Sequence, residues 1–170
     1  TSGLVPLIDK LSEVTDAALT ISLHAPNDQL RNELVPINKK YPIKKLLESV
    51  IRYVDKCGDS RKTTIEYILI DKVNDSIENA YELCELLKIL PCKVNLIPFN
   101  PFPGSSYKRP SSMRIQTFKK ILQKEGYITT IRTTRGEDIM AACGQLVGQV
   151  NDKTKRKERA HKRIEAQIIG

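Results

Sequence analysis

No apolar run in this chain approaches the roughly 18 residues that a membrane-spanning helix requires, so no span is expected. The opening residues, Thr1-Ser-Gly-Leu-Val-Pro6, lack a methionine, a basic segment and an apolar core. They do not read as a signal peptide. They read as structured sequence, and the chain is expected to be a piece of a longer protein. The four cysteines are Cys57, Cys84, Cys92 and Cys143, and no two stand two or three residues apart. That spacing excludes a compact metal motif and a Cys-x-x-Cys redox pair within the chain. Without a secretion signal the thiols are expected to be reduced, in a cytoplasmic setting. Phosphate-binding glycine loops of the Walker and Rossmann types are missing, as is an HExxH zinc site. There are no internal repeats.

What remains is an α/β pattern with a basic bias. The 170 residues suffice for one domain with a sizeable core. Apolar residues make up 40% and charged residues 28%, as in ordinary globular proteins. The formal net charge of +8 points to a polyanion such as RNA or DNA, or only to a soluble basic surface. Lys153, Lys155, Arg156, Lys157, Arg159, Lys162 and Arg163 form a cluster broken by one acid, Glu158. It reads as a phosphate-binding arm or as a solvated helical tail.

Strands are expected at 17–23, 63–70, 93–98 and 128–133, where strand-favouring residues gather. The first three are mostly continuous apolar runs, which suggests strands covered on both faces. Helices are expected at 6–12, 43–56, 76–90 and 112–125. The second places Leu46, Leu47, Val50, Tyr53 and Val54 on one face. The third does so with Ile77, Ala80, Tyr81, Cys84 and Leu87, and the fourth with Ile115, Phe118, Ile121 and Leu122. Gly58 and Gly126 are placed to end helices. Cys84 reads as core, Cys92 as the approach to a strand and Cys57 as a helix end. Strand and helix alternate, which implies a parallel sheet. An open doubly wound sheet and part of a (β/α) barrel both fit. Either puts its chemistry at the carboxyl ends of the strands, here 22–28, 71–75 and 99–107.

Few residues in those segments stand out. His24 ends the first strand and, taken alone, reads first as an anchor for the turn that follows. Asn100 lies in a loop stiffened by Pro98, Pro101 and Pro103. Such a loop can hold an amide against a ligand, or it can simply close the sheet. Cys143 has Ala142 and Gly144 as neighbours, so a large partner can reach its thiol. It can equally be a small buried residue on a helix with Ile139, Leu146, Val147 and Val150. No histidine lies near it in sequence. Arg132 and Arg135 would lower its pKa if they were close in space.

Four stretches carry a family resemblance: Ile21-Ser-Leu-His-Ala-Pro-Asn-Asp28, Leu34-Val-Pro-Ile-Asn-Lys-Lys40, Leu96-Ile-Pro-Phe-Asn-Pro-Phe-Pro-Gly104 and Thr134-Arg-Gly-Glu-Asp-Ile-Met-Ala-Ala-Cys-Gly-Gln-Leu146. In this order they closely resemble the RlmN/Cfr family of radical S-adenosylmethionine RNA methyltransferases, with the Arg-Gly-Glu-Asp stretch closer to the RlmN branch. The resemblance runs along nearly the whole chain. It implies that residues 1–150 are the C-terminal half of a radical SAM (β/α) barrel and 151–170 a basic helical or flexible tail. By the same resemblance Ser22, Leu23, His24 and Asn100 line the S-adenosylmethionine pocket. Cys143 becomes the S-methylcysteine intermediate, which adds its methyl carbon to adenine once hydrogen has been abstracted from it. Carbon 2 of adenine is electrophilic and cannot attack a methylsulfonium, so the reaction is divided around a covalent carrier. The substrates implied are 23S rRNA and, as a second class, tRNA, with Lys153, Lys155, Arg156, Lys157 and Arg159 on RNA phosphates. A 4Fe–4S cluster and an electron donor are implied as well. The family binds its cluster through Cys-x3-Cys-x2-Cys, which this chain lacks. The ligands and the resolving cysteine are therefore expected upstream, and the chain alone is expected to be inactive and to self-associate through an open sheet edge. Other readings are a Cfr-like methylation at carbon 8, a non-catalytic RNA-binding module and, more distantly, a thiol-redox protein.

Overall fold

The computed structural model describes residues 1–57 and 63–132. Gly58, the expected domain boundary at residue 150, Cys143 and the basic cluster lie outside the described residues. Within them the order is α1 (Val5–Val14), β1 (Thr20–Ser22), α2 (Asp28–Leu34), a 3-10 turn (Pro36–Lys39), α3 (Ile43–Cys57), β2 (Thr63–Leu69), α4 (Ile77–Leu87), β3 (Cys92–Pro98), α5 (Ser112–Lys124) and β4 (Ile128–Ile131). The four strands form one parallel sheet in the sequential order β1-β2-β3-β4.

Burial in the strands alternates. In β2, Thr63, Ile65, Tyr67 and Leu69 are buried while Thr64, Glu66 and Ile68 are partly exposed. In β3, Val94 and Leu96 are buried, Lys93 is exposed, and Asn95 and Ile97 lie between. The buried face joins Leu46, Leu47 and Val50 of α3, Ala80, Leu83 and Leu87 of α4, and Phe118 and Leu122 of α5 in one core. This corrects the expectation of strands covered on both faces: helices cover one face, and the other is open among the described residues. Sequential order with helices on a single face is the pattern of part of a (β/α) barrel, not of a doubly wound sheet, whose strand order reverses.

Local signals explain most of the boundaries. Ser76 caps α4 by accepting from the Asn79 N–H, and Asn79 returns the bond in a capping box. Helix α4 stops at Leu87, short of the expected 90, because Pro91 disfavours helix at the residue before it. Its buried face contains Leu83 in place of the expected Ile77 and Tyr81, which are 52% and 44% exposed. Helix α5 ends at Gly126, whose φ of +91° suits the left-handed turn that lets Tyr127 N–H reach Leu122 O at 3.0 Å. Strand β1 is shorter than expected, since Ala17 and Ala18 are exposed. Cys84 and Cys92 are buried and Cys57 closes α3, as the sequence suggested. No described helix is long and apolar enough to cross a membrane.

Candidate functional site

The open face carries a polar row. Ser22, Glu66, Asn95 and Thr130 are register partners from β1 to β4. Ser22, Glu66 and Asn95 are partly exposed and Thr130 is exposed. Thr130 Oγ1 donates to Asn95 Oδ1 at 3.0 Å. The carboxyl ends of β1 and β3 lead from this face directly into His24 and Asn100.

The backbone at the end of β1 is tied down from several sides. Arg31 of α2 is fully buried, and its guanidinium donates to Leu23 O at 2.9 Å, Ser22 O at 3.2 Å, Ser2 O at 2.7 Å and Asn38 Oδ1 at 2.8 Å. Burial lowers its pKa from 12.5 to about 10, opposed by the charge of Asp28, so it stays a cation at neutral pH. Asn38 in turn donates to Asp28 Oδ1 at 2.8 Å and Asn32 Oδ1 at 2.9 Å. Through Asn38, the Leu34–Lys40 stretch thus helps to hold Arg31 in place.

A second buried amide completes the clamp. Asn74 Nδ2 donates to His24 O at 2.9 Å and to Ile68 O at 2.6 Å, and its Oδ1 accepts from Ile70 N–H at 2.7 Å. Ser22, Leu23 and His24 therefore have all three backbone carbonyls fixed, two by Arg31 and one by Asn74. Fixed carbonyls set the direction of the side chains between them, which is the preorganisation a ligand site needs.

His24 has a left-handed φ of +63°. There β1 leaves the ladder, and the ring takes the place of a backbone acceptor: Nδ1 accepts from Ile68 N–H at 3.2 Å. The imidazole is consequently neutral, with its proton on Nε2. Burial, aided by the charge of Arg31, lowers its pKa from 6.5 to about 4 against the opposing effect of the Glu66 backbone. Anchoring the turn, the plainer reading of this histidine, is what the structure displays. Leu23 places its side chain in the core, and its N–H already donates to Glu66 O at 3.0 Å. Asn100 follows buried Phe99, is partly exposed, and makes no side-chain hydrogen bond among the described residues. Ser22, His24 and Asn100 come to the same end of the sheet, whereas Cys143 and the tail lysines and arginines fall outside the described residues.

Arg31, Asn38, Asn74 and Glu66 are absent from the sequence reading of the site. The available signal was a polar residue at an alternate position inside a strand (Glu66, Asn95), or in a loop already singled out (Asn74). A separate cleft of about 350 Å³ lies between the starts of α4 and α5, beside the Asp75–Arg114 ion pair at 2.8 Å.

No group of three or more His, Cys, Asp or Glu among the described residues could hold a metal ion. Burial raises the pKa of the Cys84 thiol to about 11 and of the Cys92 thiol to about 12. Both stay protonated in the core, unlike the thiolates that bind iron. These residues do not fit a cluster.

Comparison with solved structures defines the class. The chain overlays a radical SAM methyltransferase from Sphaerobacter thermophilus with a TM-score of 0.80 and 54% identity, over 85% of this chain and 42% of that one. A domain of a pyruvate-formate lyase-activating enzyme from Bacteroides vulgatus shares the fold at 21% identity and a TM-score of 0.58, over 75% and 74% of the two chains. The fold is that of part of a radical SAM barrel. In sequence the chain is 62% identical over 159 residues to the dual-specificity RNA methyltransferase RlmN of Marinobacter nauticus. It is 66% identical over 160 residues to that of Saccharophagus degradans. Each match takes in 94% of this chain but only 43% and 40% of the two relatives, so the chain spans about two fifths of their length. No family model matches. The resemblance read from the four motifs holds: along 94% of its length the chain is similar to part of the RlmN proteins, and its fold is similar to part of a radical SAM methyltransferase.

Proposed function

We propose that this chain is the C-terminal catalytic part of an RNA methyltransferase that places a methyl group on carbon 2 of adenosine in 23S rRNA, and in tRNA. The observation that carries the proposal is identity above 60% to RlmN proteins over 94% of the chain. The clamped Ser22-Leu23-His24 turn beside Asn100 supports it physically. S-adenosylmethionine would supply the methyl group. Ser22 Oγ and the Asn100 amide offer hydrogen bonds to its polar atoms. His24 contributes shape and a neutral surface, which avoids repelling the sulfonium cation. Leu23 contributes by fixing the turn, since its side chain and backbone are already engaged.

The chemistry attributed to Cys143 needs a thiol that meets cofactor and RNA in turn, and small neighbours suit that. A 4Fe–4S cluster would be held by residues in the remaining length of the protein, because none described here fits it. The chain alone would then neither bind a cluster nor methylate RNA. Residues 1–150 would form the barrel part. The tail from 151, with Lys153, Lys155, Arg156, Lys157 and Arg159, would hold RNA phosphates.

The test is a peptide mass spectrum of Cys143 from the intact protein purified from cells. A methyl or methylene adduct on the sulfur is expected. A bare thiol even after supply of S-adenosylmethionine and reductant would remove the carrier role and favour a non-catalytic RNA-binding module. Identifying the modified carbon in the RNA separates this reading from a Cfr-like reaction at carbon 8.

A further inference from the structure

The loops after β2 and β3 are joined at one point. Asp71 N–H donates to Lys108 O at 3.0 Å. Three cations, Lys72, Lys108 and Arg109, lie within one residue of that bond, and all three are exposed. None has an ion-pair partner among the described residues. Arg114 is excluded from the group because buried Asp75 neutralises it through bonds of 2.8 and 3.1 Å. The segment 99–111 contains no acid, and Asp71 is the one carboxylate left to oppose the three cations in these two loops.

The patch is built on a stiff support. Phe99 is buried, and the rings of Phe102 and Tyr107 pack on it at 6.1 and 6.0 Å. Pro110 is buried immediately after Arg109. Tyr107 still exposes 39% of its surface next to the cations. Lys72 is held at a φ of +57° by its N–H bond to Asp75 Oδ1 at 2.9 Å. A left-handed lysine costs energy that glycine or asparagine would avoid. Lys44, Lys45 and Lys120, also exposed, lie on helices instead.

We propose that Lys72, Lys108 and Arg109 form a phosphate clamp for the RNA backbone beside the mouth of the site, with Tyr107 as an adjacent stacking surface. The inference rests on the RNA-methyltransferase reading. Its location argues for substrate. The loops follow the carboxyl ends of β2 and β3, the same end at which Ser22, His24 and Asn100 lie, so an RNA reaching that site must pass them. Phosphates that bind these cations release counterions from the RNA, which favours association at low salt.

The test uses the full-length protein with Lys72→Gly, Lys108→Gln and Arg109→Gln combined. RNA affinity is measured against salt concentration with a 23S rRNA fragment. Each lost phosphate contact removes about 0.7–0.9 from the slope of log K on log salt. The slope is expected to flatten by about two to three units, with at least a tenfold loss of affinity near 0.1 M salt, while S-adenosylmethionine affinity stays level and the melting temperature does not fall. An unchanged slope and affinity would overturn the clamp. Slower reduction by an acidic electron-donor protein, with RNA binding intact, would also overturn it and assign the patch to that partner. If the unsubstituted protein bound no RNA, the underlying functional reading would fail instead, and the two failures are thus distinguishable.

Discussion

Arg31→Met removes the cation that organises the end of β1 while keeping most of its volume. Four acceptors lose their donor: Ser2 O, Ser22 O, Leu23 O and Asn38 Oδ1. A buried acceptor left unpaired costs about 1–3 kcal/mol, and water recruited into the site reduces that. Against the loss stands the cost of burying the guanidinium, visible in its pKa of about 10. Removing a buried charge recovers part of that cost. The balance is a destabilisation of about 2–4 kcal/mol. Arg31→Lys should fall between, because one ammonium reaches at most three of the acceptors and lacks the planar fork. The assay is urea unfolding of the full-length protein beside titration with S-adenosylmethionine. Loss of the fixed carbonyls should weaken cofactor binding at least tenfold. Val50→Ala is the control: Val50 is fully buried in α3, and its truncation should cost about 2 kcal/mol without moving the site. A loss below about 1 kcal/mol in Arg31→Met, or equal cofactor affinity in Arg31→Met and Val50→Ala, would refute the reasoning.

His24 gives a pH signature. Its folded pKa of about 4 lies below its unfolded value of 6.5, so the unfolded chain binds the proton first. Stability should fall as pH drops from about 6.5 to about 4, by up to about 3 kcal/mol, and level off below; His24→Gln should flatten this segment of the unfolding midpoint plotted against pH. Asn74→Ala should cost about 3 kcal/mol through its three lost side-chain bonds. Asn74→Asp, though isosteric, should cost at least as much in the same unfolding assay, because it sets a carboxylate oxygen against His24 O and Ile68 O. The isolated chain should self-associate through the open face, where Ile128 is 54% exposed and Ile68 and Ile97 are half-buried. A monomer in sedimentation at high concentration would rule that out.

The strands were legible because strand-favouring residues gather there, and the four longer helices because apolar residues recur at the helical period. Ile65, Tyr67 and Leu69 mark β2, and Leu46, Leu47 and Val50 mark α3. The same signal failed at α2. That helix has seven residues, and the side chain it buries is Arg31, so no apolar stripe announces it. Continuous apolar runs also overstated coverage of the sheet. Ile68 and Ile97 read as core, yet they share the open face with Glu66 and Asn95, whose polarity was the better guide. The candidate site residues Ser22, His24 and Asn100 were singled out through motif resemblance. The residues that shape the turn were missed for a physical reason. Arg31 holds Ser2, 29 positions away, and Asn74 holds His24, 50 positions away. Periodicity reports how a segment meets the core and carries nothing about which distant carbonyl a buried donor satisfies. Yet a cation and an amide enter a core of this size only when nearly every donor is matched. Their burial fixes the geometry of the turn more tightly than apolar packing would. The geometry at the mouth of this sheet is therefore written in the residues that hydrophobic patterning treats as noise.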